Sequence, residues 1–154
     1  MNTVSEQGSP SSPKTIFQLV KLLAANALPS ASRSNSFIVN EVPSSIQIIA
    51  DENIMATVLS RLLYSLVNHS ENSCIRITAN EYDDIVFVHL KSTRSINNDA
   101  IDNDLQSAQS YAKKMNGNIG LNKDEAKVTG IVFSFPNMHF NTAGKQSRTE
   151  AFTT

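Results

Sequence analysis

The chain has 154 residues, a formal net charge of −1, 40% hydrophobic residues and 18% charged residues. That length suggests one domain, and the composition lies far from the low-hydrophobicity, high-charge corner of disordered chains. With 13 Lys and Arg against 14 Asp and Glu there is no basic stripe to hold nucleic acid, and the single cysteine, Cys74, excludes an internal disulfide framework or a Cys-rich zinc site.

The longest apolar runs, such as Ile85 to Val88, fall far short of the roughly 18 residues that span a bilayer. No Lys- or Arg-led apolar stretch opens the chain, so it reads as a cytoplasmic α/β domain with no signal peptide.

Residues 1–12 contain Ser, Pro and Gly without a period and read as a flexible leader. Ser12 and Pro13 then suit a helix start, and Ile16, Leu19, Val20 and Leu23 follow at helical spacing. Pro29 is expected to close that helix at about residue 28. Phe37 to Val39 and Ile46 to Ile49 read as two short strands. From Asp51 onward, Met55, Val58, Leu59, Leu62, Leu63, Leu66 and Val67 keep a 3–4 spacing that predicts a helix over 52–68.

A hairpin follows. Ile75, Ile77 and Ala79 alternate with polar residues, Tyr82-Asp83-Asp84 turns, and Ile85 to Leu90 is apolar enough for burial on both faces. Ser92 to Asp104 is polar and reads as a loop that caps a helix. Leu105, Ala108, Ala112 and Met115 mark the face of that helix, and Asn116-Gly117 stops it, with Gly117 free to turn left-handed. Ile119 and Leu121 begin a short strand, 123–126 turns, and Ile131, Phe133 and Phe135 form a last strand ended by Pro136. The domain is therefore placed at 13–136, with a polar tail over 137–154.

This order resembles the ATP-binding domain of histidine kinases, the Bergerat-type fold shared with gyrase-like ATPases, over about residues 37–136. Four pieces carry the resemblance: DENIMATVLSRLLYSLVNHS, CIRITANEYDDIVFVHL, LQSAQSYAKKMNGNIGL and VTGIVFSFP. It implies an α/β two-layer sandwich, with a mixed sheet of about five strands and about three helices on one face.

The resemblance also places the family's functional positions, and here the residues differ. Ser65 stands where the family helix carries an Asn that binds magnesium, and Arg61 where it carries another Asn one turn earlier. A hydroxyl is a poor magnesium ligand beside an amide or carboxylate oxygen. The adenine-reading Asp of D-x-G-x-G falls at about Lys91, and its glycines at Thr93 and Ser95. Lys cannot accept a hydrogen bond from an adenine amino group. The glycines that bring backbone N–H groups to phosphate are replaced by a stretch containing Asp102 and Asp104, which would repel it. The family's nucleotide lid shrinks to about a dozen residues.

The resemblance thus implies a degenerate, non-catalytic ATPase-fold domain that acts in signal transduction by binding another protein, a response regulator or a kinase. No cofactor is expected under that reading. The alternative is an active histidine kinase-type domain that binds ATP and magnesium in an atypical site. The remnant pocket would comprise Arg61, Ser65, Asn68, Lys91, Thr93, Asp102 and Asp104. Arg61, Ser65 and Asn68 share one helix face, which is either a remodelled pocket floor or an ordinary solvated surface. Lys91 is either paired with Asp102 or Asp104 across the old pocket or simply exposed. His69, His89 and His139 are too scattered for a metal site, and the N-terminal helix offers either a homodimer face or one more stripe for the core.

Overall fold

The computed structural model describes residues 13–125 and 127–138. The 1–12 leader with its Ser12 cap, Ala126, His139 and the remainder of the tail lie outside the described residues. The elements are α1 (Ile16–Arg33), β1 (Phe37–Asn40), α2 (Glu52–Asn68), β2 (Cys74–Tyr82), β3 (Ile85–Asn97), α3 (Asn98–Ala112), a 3₁₀ turn (Lys113–Met115), β4 (Asn118–Asp124) and β5 (Lys127–Pro136). The strands form one open sheet in the order β1-β2-β3-β5-β4. β1 runs parallel to β2, and the other neighbours are antiparallel. This is the expected two-layer α/β sandwich.

Strand alternation directs one face of the sheet into the core. Ile75 and Ile77 of β2, Val86, Val88 and Leu90 of β3, and Ile131, Phe133 and Phe135 of β5 are buried. They join Met55, Val58, Leu59, Leu62, Leu63 and Leu66 of α2 in one cluster. Each such side chain contributes about 1.5–3 kcal/mol on leaving water. β3 is not buried on both faces as its composition suggests: Ile85, Phe87 and His89 are only half-buried on the outer side.

α1 begins one turn later than Pro13. Thr15 caps it, its Oγ1 accepting from the Gln18 N–H at 3.2 Å while Gln18 Oε1 accepts from the Thr15 N–H at 3.2 Å. The helix also passes through Pro29, where the sequence predicts its end, and continues to Arg33. Pro29 removes the N–H that would bond the Ala25 carbonyl. Burial of Ala27 and Ala31 on either side offsets that loss, and the Tyr64 hydroxyl donates to the Asn26 carbonyl at 2.9 Å.

Three further expectations give way. The Ile46–Ile49 segment makes only a bridge between Thr15 and Gln47. It is held by Asn137, which the sequence places in the tail but which is buried. Asn137 Oδ1 accepts from the N–H groups of Ile49 and Ala50 at 2.9 and 3.1 Å, and its Nδ2 donates to the Gln47 carbonyl at 2.7 Å. Asn116, not Gly117, adopts the left-handed conformation, with φ 57° and ψ 32°. Gly117 is needed for space instead, because a Cβ there would lie 2.9 Å from the Phe133 ring.

The third correction shapes the functional site. The expected loop over 92–104 does not form. β3 runs on to Asn97, its register against β5 breaking between Lys91 and Ile96, and α3 starts at the next residue. The bulged stretch is sewn to β2: Thr93 Oγ1 accepts from the Cys74 N–H at 2.9 Å, and Ser92 Oγ lies 2.8 Å from Ser73 Oγ. Asn97 caps α3 by accepting from the Asp99 N–H at 2.8 Å. Asn and Asp are disfavoured inside helices but favoured at the cap and first turn, so the run that looks like a loop is a helix start.

Candidate functional site

α2 and α3 lie side by side, and polar rungs cross the seam between them. Arg61 and Ser65 sit one turn apart on α2, and Asp104 and Ser107 one turn apart on α3. Arg61 Nη1 donates to Ser107 Oγ at 2.9 Å. Ser65 Oγ donates to Asp104 Oδ2 at 3.1 Å, and His69 Nε2, at the C-cap of α2, lies 3.4 Å from the same oxygen. The Arg61 guanidinium rests 4.9 Å from the centroid of the Tyr111 ring, and Lys114 Nζ is at the same distance. A cation over an aromatic face is held in place by the ring quadrupole.

Beside these rungs is a pocket of about 200 Å³ lined by Arg61, Tyr64, Ser65, Asn68, Asp104 and Ser107. Four of the seven residues expected to form the remnant pocket, Arg61, Ser65, Asn68 and Asp104, meet here. The other three do not. Leu90 points into the core, so Lys91 next to it points to the outer face of the sheet, opposite Arg76 and Gly130. Of the two alternatives for Lys91, pairing with Asp102 or Asp104 is not made and the side chain is exposed; among the described residues its charge acts on His89. Thr93 is committed to the Cys74 N–H. Asp102 faces away on α3 and accepts from Gln106 Nε2 at 3.3 Å.

Tyr64, Ser107 and Tyr111 complete the site and escape the sequence reading, whereas His69, named there only among three scattered histidines, joins the site through Asp104. Asp104, Ser107 and Tyr111 fall at i, i+3 and i+7, one face of a helix. That signal is present in the sequence, but reading residues through Asp104 as loop hides it. Ser65 is buried and Asp104 half-exposed, so the pocket has a protein floor and a solvent-facing rim.

His89 lies apart on the outer face, with Nε2 3.2 Å from Asn80 Oδ1. Burial, helped by the Lys91 charge, lowers its pKa below 6.5. Among the described residues no group of three or more His, Cys, Asp or Glu side chains gathers as a metal site.

No model of a protein family matches this chain, and no curated protein matches it. Solved structures do. The Acinetobacter baumannii histidine kinase AdeS superposes with a TM-score of 0.68 at 10% identity, over 80% of this chain and 66% of that one. The catalytic domain of histidine kinase ThkA superposes with a TM-score of 0.67 at 16% identity, over 82% of this chain and 96% of that one. ThkA in complex with the response regulator protein TrrA gives 0.63 at 16% identity, over 80% of this chain and 41% of that one. The chain thus spans nearly all of an isolated catalytic domain but two thirds or less of the longer kinase chains. At such low identity what is shared is architecture, and the chain has the fold of histidine kinase catalytic domains.

Proposed function

We propose that this chain is a degenerate, non-catalytic histidine-kinase-like ATPase-fold domain that acts in signal transduction by binding another protein. The observation that carries the reading is the direct passage from β3, ending at Asn97, into α3, starting at Asn98. The resemblance puts a nucleotide lid there, and no loop remains to supply one.

The residues present do not fit a magnesium nucleotide. Ser65, at the position of the family's magnesium-binding Asn, donates to Asp104, whose carboxylate would repel phosphate. The pocket of about 200 Å³ is smaller than the roughly 300–1,000 Å³ usual for ligand sites of drug size. Thr93 and Lys91, at the adenine end, are turned to strand pairing and to the outer sheet face. No step of phosphoryl transfer follows from this chemistry. The partner class is a response regulator or a kinase, in keeping with the ThkA–response regulator complex.

One feature favours the alternative of an atypical ATP-binding domain. Asp104 brings a carboxylate beside Ser65, and hard oxygen donors are what magnesium takes. Titration with ATP and ADP, with and without magnesium, followed by calorimetry and thermal shift, decides between the two. A ligand that binds only the native state raises its melting temperature. No heat and no shift at millimolar nucleotide is the expected result, and micromolar binding would overturn the proposal.

A further inference from the structure

The pocket between α2 and α3 presents two opposite charges that do not neutralise each other. Arg61 and Asp104 both line it, yet among the described residues they form no ion pair. Arg61 commits one of its five donors, Nη1, to Ser107, and Asp104 commits only Oδ2, to Ser65 and His69. The remaining Arg61 donors and Asp104 Oδ1 are without partners among the described residues. The two rungs lie one helical turn apart along α2 and α3, and the Tyr111 ring steadies the guanidinium.

We infer that this pocket binds a free α-amino acid. A guanidinium fork matches a carboxylate in two parallel hydrogen bonds, and a carboxylate takes an ammonium. A ligand carrying an ammonium and a carboxylate on one carbon satisfies the two sites at once, whereas a single-charge ligand leaves one unanswered. The volume of about 200 Å³ suits a small zwitterion. Asn68 adds an amide for a short polar side chain, while the Tyr64 hydroxyl is already committed to Asn26 and leaves only its ring. The inference rests on the reading that the site no longer holds a nucleotide, and it makes the domain a sensor of an amino acid as well as a docking module.

The test is amide chemical-shift titration of the whole chain with L-serine, alongside sodium acetate and ethanolamine at matched ionic strength. L-serine is expected to shift the amides of Asn68 and Ser107 saturably in the millimolar range or below, and the two controls are not. Arg61→Gln and Asp104→Asn are each expected to weaken binding at least tenfold, as loss of a charged hydrogen-bond partner does, while Lys91→Ala leaves it unchanged. The melting temperature of each variant, read on the same samples, separates lost binding from lost folding. No saturable shift with L-serine, or an equal response to acetate, overturns the inference. The nucleotide titration is separate: ATP binding would overturn the proposed function, whereas failure of L-serine alone leaves it standing.

Discussion

Ser65 Oγ donates to Asp104 Oδ2 at 3.1 Å, joining α2 to α3 at the position where the resemblance puts a magnesium ligand. Under the proposed function, that bond makes loss of a nucleotide site more than a matter of one residue. Ser65→Asn recreates the family's amide at that position but leaves the Asp104 carboxylate and the missing lid. The variant is expected to bind no nucleotide by calorimetry. Because Ser65 is buried, the larger side chain should also lower stability by about 1–3 kcal/mol. Nucleotide binding by this single variant would show that the rest of the site is still competent.

Asn137 is the second node. Its side chain makes three hydrogen bonds to the backbone of Gln47, Ile49 and Ala50, and it is buried. Asn137→Ala removes the partner of all three groups and is expected to cost about 1–3 kcal/mol, chiefly at the buried Ala50 N–H. An unsatisfied buried group costs about that much, while the part-buried Gln47 and Ile49 groups can turn to water. Asn137→Asp keeps an acceptor for the two N–H groups but sets a carboxylate oxygen against the Gln47 carbonyl in a buried site, and should cost more. Chemical denaturation of the two variants gives the order, and an equal loss would argue that the amide is held by packing alone.

Much of the fold is legible because burial is periodic. The 3–4 spacing from Met55 to Val67 defines α2, and the alternation at Ile75–Ala79 and Ile131–Phe135 defines two strands of the sheet. The misreadings share a cause, tertiary partners overriding local signals. Pro29 breaks an isolated helix, but Ala27, Ala31 and Tyr64 hold this one together. The polar run 92–104 lacks period, yet side-chain bonds to β2 and an Asn97 cap turn it into strand and helix. The same error hid half of the site, because Ser107 and Tyr111 acquire meaning only when α3 starts at Asn98. Arg61, Ser65 and Asn68 were legible because they lie on a helix whose phase was certain.

The β2–β3 hairpin carries local strain. Asp83 and Asp84 both take positive φ, 57° and 68°, in the two-residue turn between Tyr82 and Ile85. Glycine adopts that conformation without steric cost, whereas other L residues lose about 1–2 kcal/mol in a left-handed helix. Asp tolerates it better than most, so Asp84→Gly is expected to stabilise the domain by about 1 kcal/mol. The bond from the Asn137 N–H to the Asp84 carbonyl is retained, because it involves only backbone. A rise in the urea midpoint with an unchanged slope is the result to look for. A fall would mean that the Asp84 side chain supports the turn.

His89 gives the fold a pH dependence of definite sign. Burial and the Lys91 charge lower its pKa in the native state below the 6.5 of the free side chain. Below 6.5 the unfolded chain therefore binds more protons at this position than the native one. Stability falls as pH drops through 6.5 and stops falling once native His89 also takes up its proton; above 6.5 the group contributes nothing to the slope. His89→Gln removes the titration and keeps a polar side chain opposite Thr78 and near Asn80. Urea midpoints measured across that range should decline less steeply for the variant than for the native chain. Parallel curves would place the acid sensitivity elsewhere in the fold.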